Sequence, residues 1–394
     1  MRIAVNGCGI AGPTLAWWLR RYGHEPVLFE QADRLREGGY IIDFWGSGYD
    51  VAERMGLFPG LMDDAYIMER LRTVTSGNRT TSSLNARTFQ DLTNGRYISI
   101  ARSDLSRHIF QASRGIEARF GASIEAVEER QEDILVSTGK GEAEAFDLVI
   151  GADGLHSGIR SVVFGPQERY ERPLGLHVAA FTLSGYRPRE ELTYVSFTQP
   201  GRQISRVALR GDRTLFLFVF DSSFMTGEPS GEQARKDVLK EIFGGMGWEA
   251  DAILGRIGEV DDLYFDRVSQ IRMFECTKGR VALIGDAAAC ASLLAGEGTG
   301  FAMTEAYVLA GELHRAGGDH AAAFRRYEER MRDYISGKQD AARKFAGFFA
   351  PRNWARLILR DVLTNAANIP GLSRYILGQG LLSEIELPDY GGAG

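Results

Sequence analysis

Three closely spaced glycines, Gly7, Gly9 and Gly12, constrain this chain more than any other feature. Arg2-Ile3-Ala4-Val5 leads into them as a buried strand, and residues 13–22 follow with helical spacing. After Gly23-His24-Glu25 a second apolar run, Pro26-Val27-Leu28-Phe29, ends in Glu30. Strand, glycine loop, helix, strand and acid form the dinucleotide fingerprint in its required context. Gly7 allows the tight turn, Gly9 lets a pyrophosphate approach the backbone, and Gly12 lets helix and strand pack closely. Ile10 and Ala11 lie between them at the start of the helix, whose free N–H groups suit phosphates. Glu30, with Gln31 beside it, stands eighteen residues after Gly12, where a carboxylate can accept hydrogen bonds from an adenosine ribose. The bland alternative is a glycine-rich turn in an ordinary α/β unit. The stretch alone leaves NAD and FAD equally open.

Two later strands end in the same way. Asp147-Leu148-Val149-Ile150 runs into Gly151-Ala152-Asp153-Gly154, followed by Ser157 and Arg160. Val281-Ala282-Leu283-Ile284 runs into Gly285-Asp286, then a small-residue segment carrying Gly296, Gly298 and Gly300, with a long helix expected from about Thr299. Each presents backbone and a carboxylate at the edge of a sheet where α/β ligands bind. Arg102, just before a helix that Ser103 is expected to cap, is placed to point a fixed cation into a cleft. Asp43 lies in the apolar and aromatic strand Tyr40-Ile41-Ile42-Asp43-Phe44-Trp45, ahead of Gly46-Ser47-Gly48. It needs a partner there, a ligand hydroxyl or a backbone N–H; it is counted among the cofactor-binding candidates, with a helix or turn cap as the alternative.

Between these motifs the pattern changes. Residues 71–75 and 97–100 read as strands, with the Thr-, Ser- and Asn-rich stretch between them read as a loop. Residues 120–124 and 134–137 read as further short strands. Residues 176–183, 193–198, 204–209 and 214–220 read as four strands without intervening helices, hence an antiparallel sheet. A helix is expected over 231–243 and an amphipathic one over 319–348. Trp354, Leu357, Ile358, Leu363, Ile376 and Leu377 keep helical spacing in a segment expected to cover the core, with a membrane-surface helix as the alternative and Pro370-Gly371 as a break. The fold class is α/β: a Rossmann-like domain with an inserted antiparallel-sheet domain and C-terminal helices. The boundaries are 1–70, 97–170 and 268–345 for the discontinuous nucleotide-binding domain, 71–96 and 171–267 for the inserted substrate-binding domain, and 346–394 for the helical segment.

A chain of 394 residues, 25% charged and of net charge −6, argues against a nucleic-acid binder. Cys8, Cys276 and Cys290 are far apart, which fits a reducing cytoplasm and no metal site. The chain opens on a core strand instead of a basic and apolar leader, and no stretch reaches the length of a membrane span. His24, His108, His156, His177, His314 and His320 are scattered, and no nucleophile–base pair stands out, so the catalytic residues are unassigned.

Taken jointly, Gly7-x-Gly9-x-x-Gly12 with Glu30, Asp153-Gly154 with Ser157 and Arg160, and Gly285-Asp286 resemble the single-component FAD-dependent aromatic hydroxylases, the para-hydroxybenzoate hydroxylase-like group. Within it the chain is similar to the tetracycline-inactivating and polyketide-tailoring monooxygenases. The resemblance spans most of residues 1–340. It implies that the glycine loop holds the FAD pyrophosphate, Glu30 the ribose, and Arg102 another part of FAD. It implies that Asp153 and Gly154 lie where FAD and incoming NAD(P)H are sensed, with Arg160 supporting them. Asp286 would bind the ribityl or pyrophosphate part, and Gly296 to Gly300 would run under the isoalloxazine. The implied reaction is NAD(P)H-driven hydroxylation of an aromatic or polyketide-like molecule by O₂ through a flavin C4a-hydroperoxide. The same fold also serves flavin reductases or dehydrogenases of prenyl-type lipids, and a non-redox cyclase or binding role is a third option. The halogenase signature Trp-x-Trp-x-Ile-Pro is absent. One departure matters. Where the family has histidine, a proline-rich turn and Gly-Gln-Gly, this chain has Ala289, Ala291, Leu293 and Gly296-Glu297-Gly298. A looser loop and an added negative charge at Glu297 are expected there.

Overall fold

The computed structural model describes residues 1–35, 40–139, 143–292, 294, 296, 298–369, 371–376 and 385–391. Its centre is a six-stranded sheet in the order Thr277–Lys278, Val281–Leu283, Leu148–Gly151, Arg2–Asn6, Glu25–Glu30, Glu117–Phe120. All neighbours pair in parallel except Thr277–Lys278 with Val281–Leu283. Ile3, Ala4, Val5, Val149, Ile150, Ala282 and Leu283 are fully buried. A parallel sheet covered on both faces requires such unbroken apolar runs. Helices Ala11–Arg21 and Gly298–Ala316 pack on it and on each other. Asn6 pairs with Gly151, and Gly151 with Leu283, so three strands end side by side at one edge.

A seven-stranded sheet stands apart from this one. Its order is Tyr264–Ile271, Glu171–Ser184, Arg213–Asp221, Arg202–Leu209, Thr193–Gln199, Arg70–Val74, Thr80–Asn85. The four consecutive strands expected from sequence are all present and antiparallel. Alternation sends Phe197, Phe216, Phe218 and Phe220 to one face, against helices Glu232–Phe243 and Ala250–Gly255. Tyr194, Ser196, Ser205 and Leu217 project from the other face. A two-stranded antiparallel ribbon, Ile41–Trp45 with Tyr97–Ala101, lies close to that face.

Four local expectations are corrected. Thr80–Asn85, expected as a loop, is an edge strand paired across the Gly77-Asn78 turn. Threonine suits an edge strand, and Ser82 and Leu84 point inward. The Glu117–Phe120 strand stops before 121–124 because Gly121 takes a positive φ of 65°. Helix Arg102–Ala112 starts one residue before Ser103, with Ala101 at the N-cap and no side-chain cap. Helix Trp354–Ala366 is present, but it docks through its polar side. Asp361 meets Ser82, Asn365 meets Ser83, and Arg360 meets Thr198 and Gln203. Its Trp354, Ile358, Leu359 and Val362 face outward. Leu377 and Pro370, and the charge at Glu297, lie outside the described residues. No helix among the described residues is long and apolar enough to cross a membrane.

Helix Gly46–Arg54 crosses helix Gly298–Ala316 at backbone contact. A Cβ on Gly48 would lie 2.1 Å from Gly300 Cα. Neither backbone can yield without moving a buried helix. Gly48→Ala is expected to lower unfolding free energy by about 1–3 kcal/mol, read by denaturant titration of the variant against the parent protein.

Candidate cofactor and substrate site

The glycine loop is built by backbone contact. A Cβ on Gly12 would sit 1.9 Å from Gly7 O, and one on Gly7 2.4 Å from Ala152 O. Gly7 has φ 112°, a region that side chains avoid. Helix Ala11–Arg21 begins at Ile10 with no side-chain cap and no acid in its first turn. Its leading N–H groups are therefore available to an anion. Ser106 Oγ donates to Gly9 O at 3.0 Å and fixes the loop against helix Arg102–Ala112. Glu30 accepts from Cys8 N at 2.9 Å and Ala32 N at 3.0 Å, which orients its carboxylate beside the loop. Gln31 is exposed at the same edge. Burial, with Glu30 adding to it, pushes the Cys8 thiol up to about 12, so Cys8 is a packing residue and not a nucleophile.

The other two strand ends are braced internally. Asp153 accepts from Asn6 Nδ2 at 3.0 Å, Ser157 Oγ at 2.5 Å and Ile159 N at 3.1 Å. Gly154 follows with φ 82°. Arg160 is fully buried and donates to Ala287 O at 2.9 Å and Leu155 O at 2.6 Å, tying the second strand end to the third. Gly285, with φ 62°, donates its N–H to Glu305 Oε2 at 2.6 Å. Glu305 also accepts from Tyr327 Oη at 3.1 Å, and burial drives its carboxyl well above the usual range. Sequence reasoning missed Glu305, Asn6 and Gly48. An acid inside the apolar run 299–313 was the available signal for Glu305.

These braces place Asp286 opposite the start of helix Gly298–Ala316, 3.8 Å from where a Gly298 Cβ would be. Burial raises the Asp286 carboxyl, while the Arg102 charge opposes the rise. Arg102 Nη2 lies 3.7 Å from a Cβ position on Gly9. Among the described residues, nothing hydrogen-bonds or ion-pairs with its guanidinium. An unpaired cation beside a cap-free helix N-terminus fits a pyrophosphate. Burial raises the Tyr40 hydroxyl to about 12 against the pull of Arg102. Thr299 is buried, and Gly296 has φ 70° near Trp45. The structure thus brings Arg102 and Asp286 to the glycine loop and sets Gly298, Thr299 and Gly300 beyond them.

Asp43 is not the turn cap considered from sequence. Trp45 is the N-cap of helix Gly46–Arg54, and Asp43 accepts from Tyr97 and Ser99 hydroxyls instead. Leu293 and Glu297 of the loop after Asp286 lie outside the described residues, and the described start of that loop is hydrogen-bonded. Gln270 Nε2 donates to Ala291 O at 2.6 Å, and Cys290 O accepts from Ile271 N at 3.1 Å and Gln339 Nε2 at 3.3 Å. Glutamine hydrogen bonds hold the backbone that prolines would otherwise stiffen. Among the described residues no cluster of acids, histidines or cysteines could hold a metal ion.

The family model described as FAD binding domain matches residues 1–336. A flavin-dependent monooxygenase of an unknown prokaryotic organism is 34% identical over 339 residues, spanning 86% of this chain and 87% of the relative. One from Legionella longbeachae serogroup 1 (strain NSW150) is 33% identical over 343 residues, with shares of 86% and 87%. The tetracycline destructase Tet(51) structure matches with a TM-score of 0.84 at 31% identity, over 99% of both chains. Klebsiella pneumoniae HpxO complexed with FAD and uric acid shares the fold, with a TM-score of 0.79 at 23% identity over 96% of this chain and 95% of that one. Arg102→Ala is expected to weaken FAD binding about 10- to 100-fold. Glu305→Gln, which keeps the shape but puts an amide NH₂ where one accepting oxygen stood, is expected to loosen the Gly285 turn and give a smaller loss. Fluorescence titration of apoprotein with FAD reads both. The cap-free helix, the free Arg102 and the matched residues lead to one conclusion: this chain belongs to the FAD binding domain family, among the flavin-dependent monooxygenases.

Proposed function

We propose that the protein is an NAD(P)H-dependent monooxygenase that inserts one oxygen atom from O₂ into an aromatic or polyketide-like small molecule. The observation that carries this reading is the aromatic cluster beside the strand ends. Tyr40 and Tyr264 lie with ring centroids 6.0 Å apart, and both, like Tyr194 and Leu217 of the seven-stranded sheet, pack against one apolar cluster beside the ribbon. Tyr40 and Tyr264 both feel the charges of Arg102 and Asp286, so this cluster adjoins the cofactor residues. The likeness to a tetracycline destructase supports a polycyclic substrate with hydroxyl groups.

When bound, FAD would supply hydride acceptance from NAD(P)H and activation of O₂. The chain's own residues bind, orient and exclude water. The loop from Gly7 to Gly12, with Ile10, Ala11 and Arg102, would hold the pyrophosphate, and Glu30 with Gln31 the adenosine end. Asp286, Gly296, Gly298, Thr299 and Gly300 would hold the ribityl and ring end. Asp153, Gly154, Arg160 and Gly285 would keep the intervening strand ends in place. The aromatic wall would keep water from the reacting centre. Histidine catalysis has no support in the geometry. His108 is tied to Asp64, His156 to Asp266 and His177 to Glu228, and His314 stacks on Tyr22.

Oxygen uptake and NAD(P)H oxidation by the flavin-loaded protein test the proposal, with tetracycline and simpler phenols as substrates. Substrate-stimulated uptake, and a product heavier by one oxygen, are expected. NAD(P)H oxidation without oxygen in any product would assign a reductase instead. Turnover without either co-substrate would assign non-redox chemistry.

A further inference from the structure

Helix Trp354–Ala366 is amphipathic, and it is mounted with its polar side inward. Asn365 Oδ1 accepts from Ser83 N at 2.9 Å and its Nδ2 donates to Thr81 O at 3.1 Å. Asn368 repeats the pattern with Asn85 N at 2.9 Å and Ser83 O at 2.6 Å. Two asparagines thus satisfy the outer backbone of edge strand Thr80–Asn85. Arg360 and Asp361, both buried, bond to each other and to Thr198, Gln203 and Ser82. Rolling the helix to bury its apolar side would break all of these bonds and strand a buried ion pair. The outward apolar side is therefore a fixed feature of the fold.

That side is large. Trp354, Ile358, Leu359 and Val362 are between 57 and 61% exposed. Ile369 and Leu372 continue the strip towards the short helix Leu372–Ile376, where Tyr375 is 75% exposed. Among the described residues nothing covers these side chains. A strip of this extent marks an interaction surface.

Charge selects the partner. Residues 343–375 hold six basic residues and one acid, in a chain of net charge −6. The one acid is Asp361, buried and engaged by Arg360 and Ser82. Arg343, Lys344, Arg352 and Arg356 are exposed, with Arg352 paired to Asp221 at 2.8 Å. Helical spacing puts Arg356 at the margin of the apolar arc and Lys344 one turn from the half-exposed Phe348. A second copy seated on the strip would bring basic margin against basic margin, with no exposed acid in 343–375 to answer it. A negatively charged lipid surface answers both features: its acyl region takes the apolar strip and its headgroups take the cations. Trp354 and Tyr375 stand towards opposite ends of the strip, and their rings suit the headgroup level.

We propose that helix Trp354–Ala366, with Leu372–Ile376, is an interfacial docking face that rests the seven-stranded-sheet domain on an anionic lipid surface without crossing it. This goes beyond the proposed reaction and does not depend on it.

Flotation of the FAD-loaded full chain with vesicles tests the proposal. One set is phosphatidylcholine alone, and the other is phosphatidylcholine and phosphatidylglycerol in equal parts. Binding to the mixed vesicles is expected to be at least about tenfold tighter than to phosphatidylcholine alone and to weaken as salt is raised. Ile358→Glu combined with Val362→Glu, both on the solvent side, is expected to weaken binding to the mixed vesicles at least about tenfold with flavin content and unfolding midpoint unchanged. Arg356→Glu, which leaves the apolar strip intact, is expected to weaken binding to the mixed vesicles only, and it carries the test if the double variant does not fold. No binding to either vesicle, equal binding to both, or undiminished binding in the variants would overturn the proposal. So would a lipid-free dimer, seen by light scattering, that the double variant dissociates, since the strip would then be a contact between copies of this chain.

Discussion

The structure depends on three strand ends packed at backbone distance. Gly12 against Gly7, and Gly7 against Ala152, leave no room for a Cβ. These contacts bring the ends of Arg2–Asn6, Leu148–Gly151 and Val281–Leu283 to one edge of a parallel sheet. Buried polar groups then lock each turn: Asn6 onto Asp153, Arg160 onto Ala287, and Glu305 onto Gly285. Each of these groups would destabilise the core if left unpaired, so the turns are held in one arrangement. Arg102 stands out because its charge is not spent in this way. An edge whose turns are braced internally and whose Arg102 has no partner among the described residues is prepared for an anionic ligand.

The second sheet explains where chemistry could occur. Its helix-covered face is filled by phenylalanines, which gives it a rigid core of its own. Its other face turns tyrosines and small polar residues toward the ribbon of Ile41–Trp45 and Tyr97–Ala101. Helix Trp354–Ala366 closes the inner face at its far side through Arg360 and Asp361.

Legibility in the sequence followed the range of the interactions. The glycine loop, Glu30, Asp153-Gly154 and Gly285-Asp286 could be read because turns and strand ends are set by local chemistry. The four inserted strands were readable because two-residue alternation and turn residues mark them. Errors came where distant partners decide. Thr80–Asn85 is a strand only because Arg70–Val74 pairs with it. A cap stayed open for Asp43 because Tyr97 and Ser99, 54 and 56 residues later, are invisible from its neighbourhood. Helix Trp354–Ala366 was expected to bury its apolar side, but its docking partners are Ser82 and Ser83 on the edge strand and Thr198 and Gln203 on inner strands of the sheet. A cation at Arg102 could be suggested from sequence, but its lack of a partner among the described residues needed the structure.

The central claim is that one extended cofactor spans all three strand ends, anchored by its adenosine half at Gly7 to Glu30. Titrating apoprotein with FAD, ADP and FMN tests this most directly. The account predicts that FAD binds at one per chain, that ADP competes with it, and that FMN binds far more weakly. FMN binding as tightly as FAD, or ADP failing to compete, would contradict it.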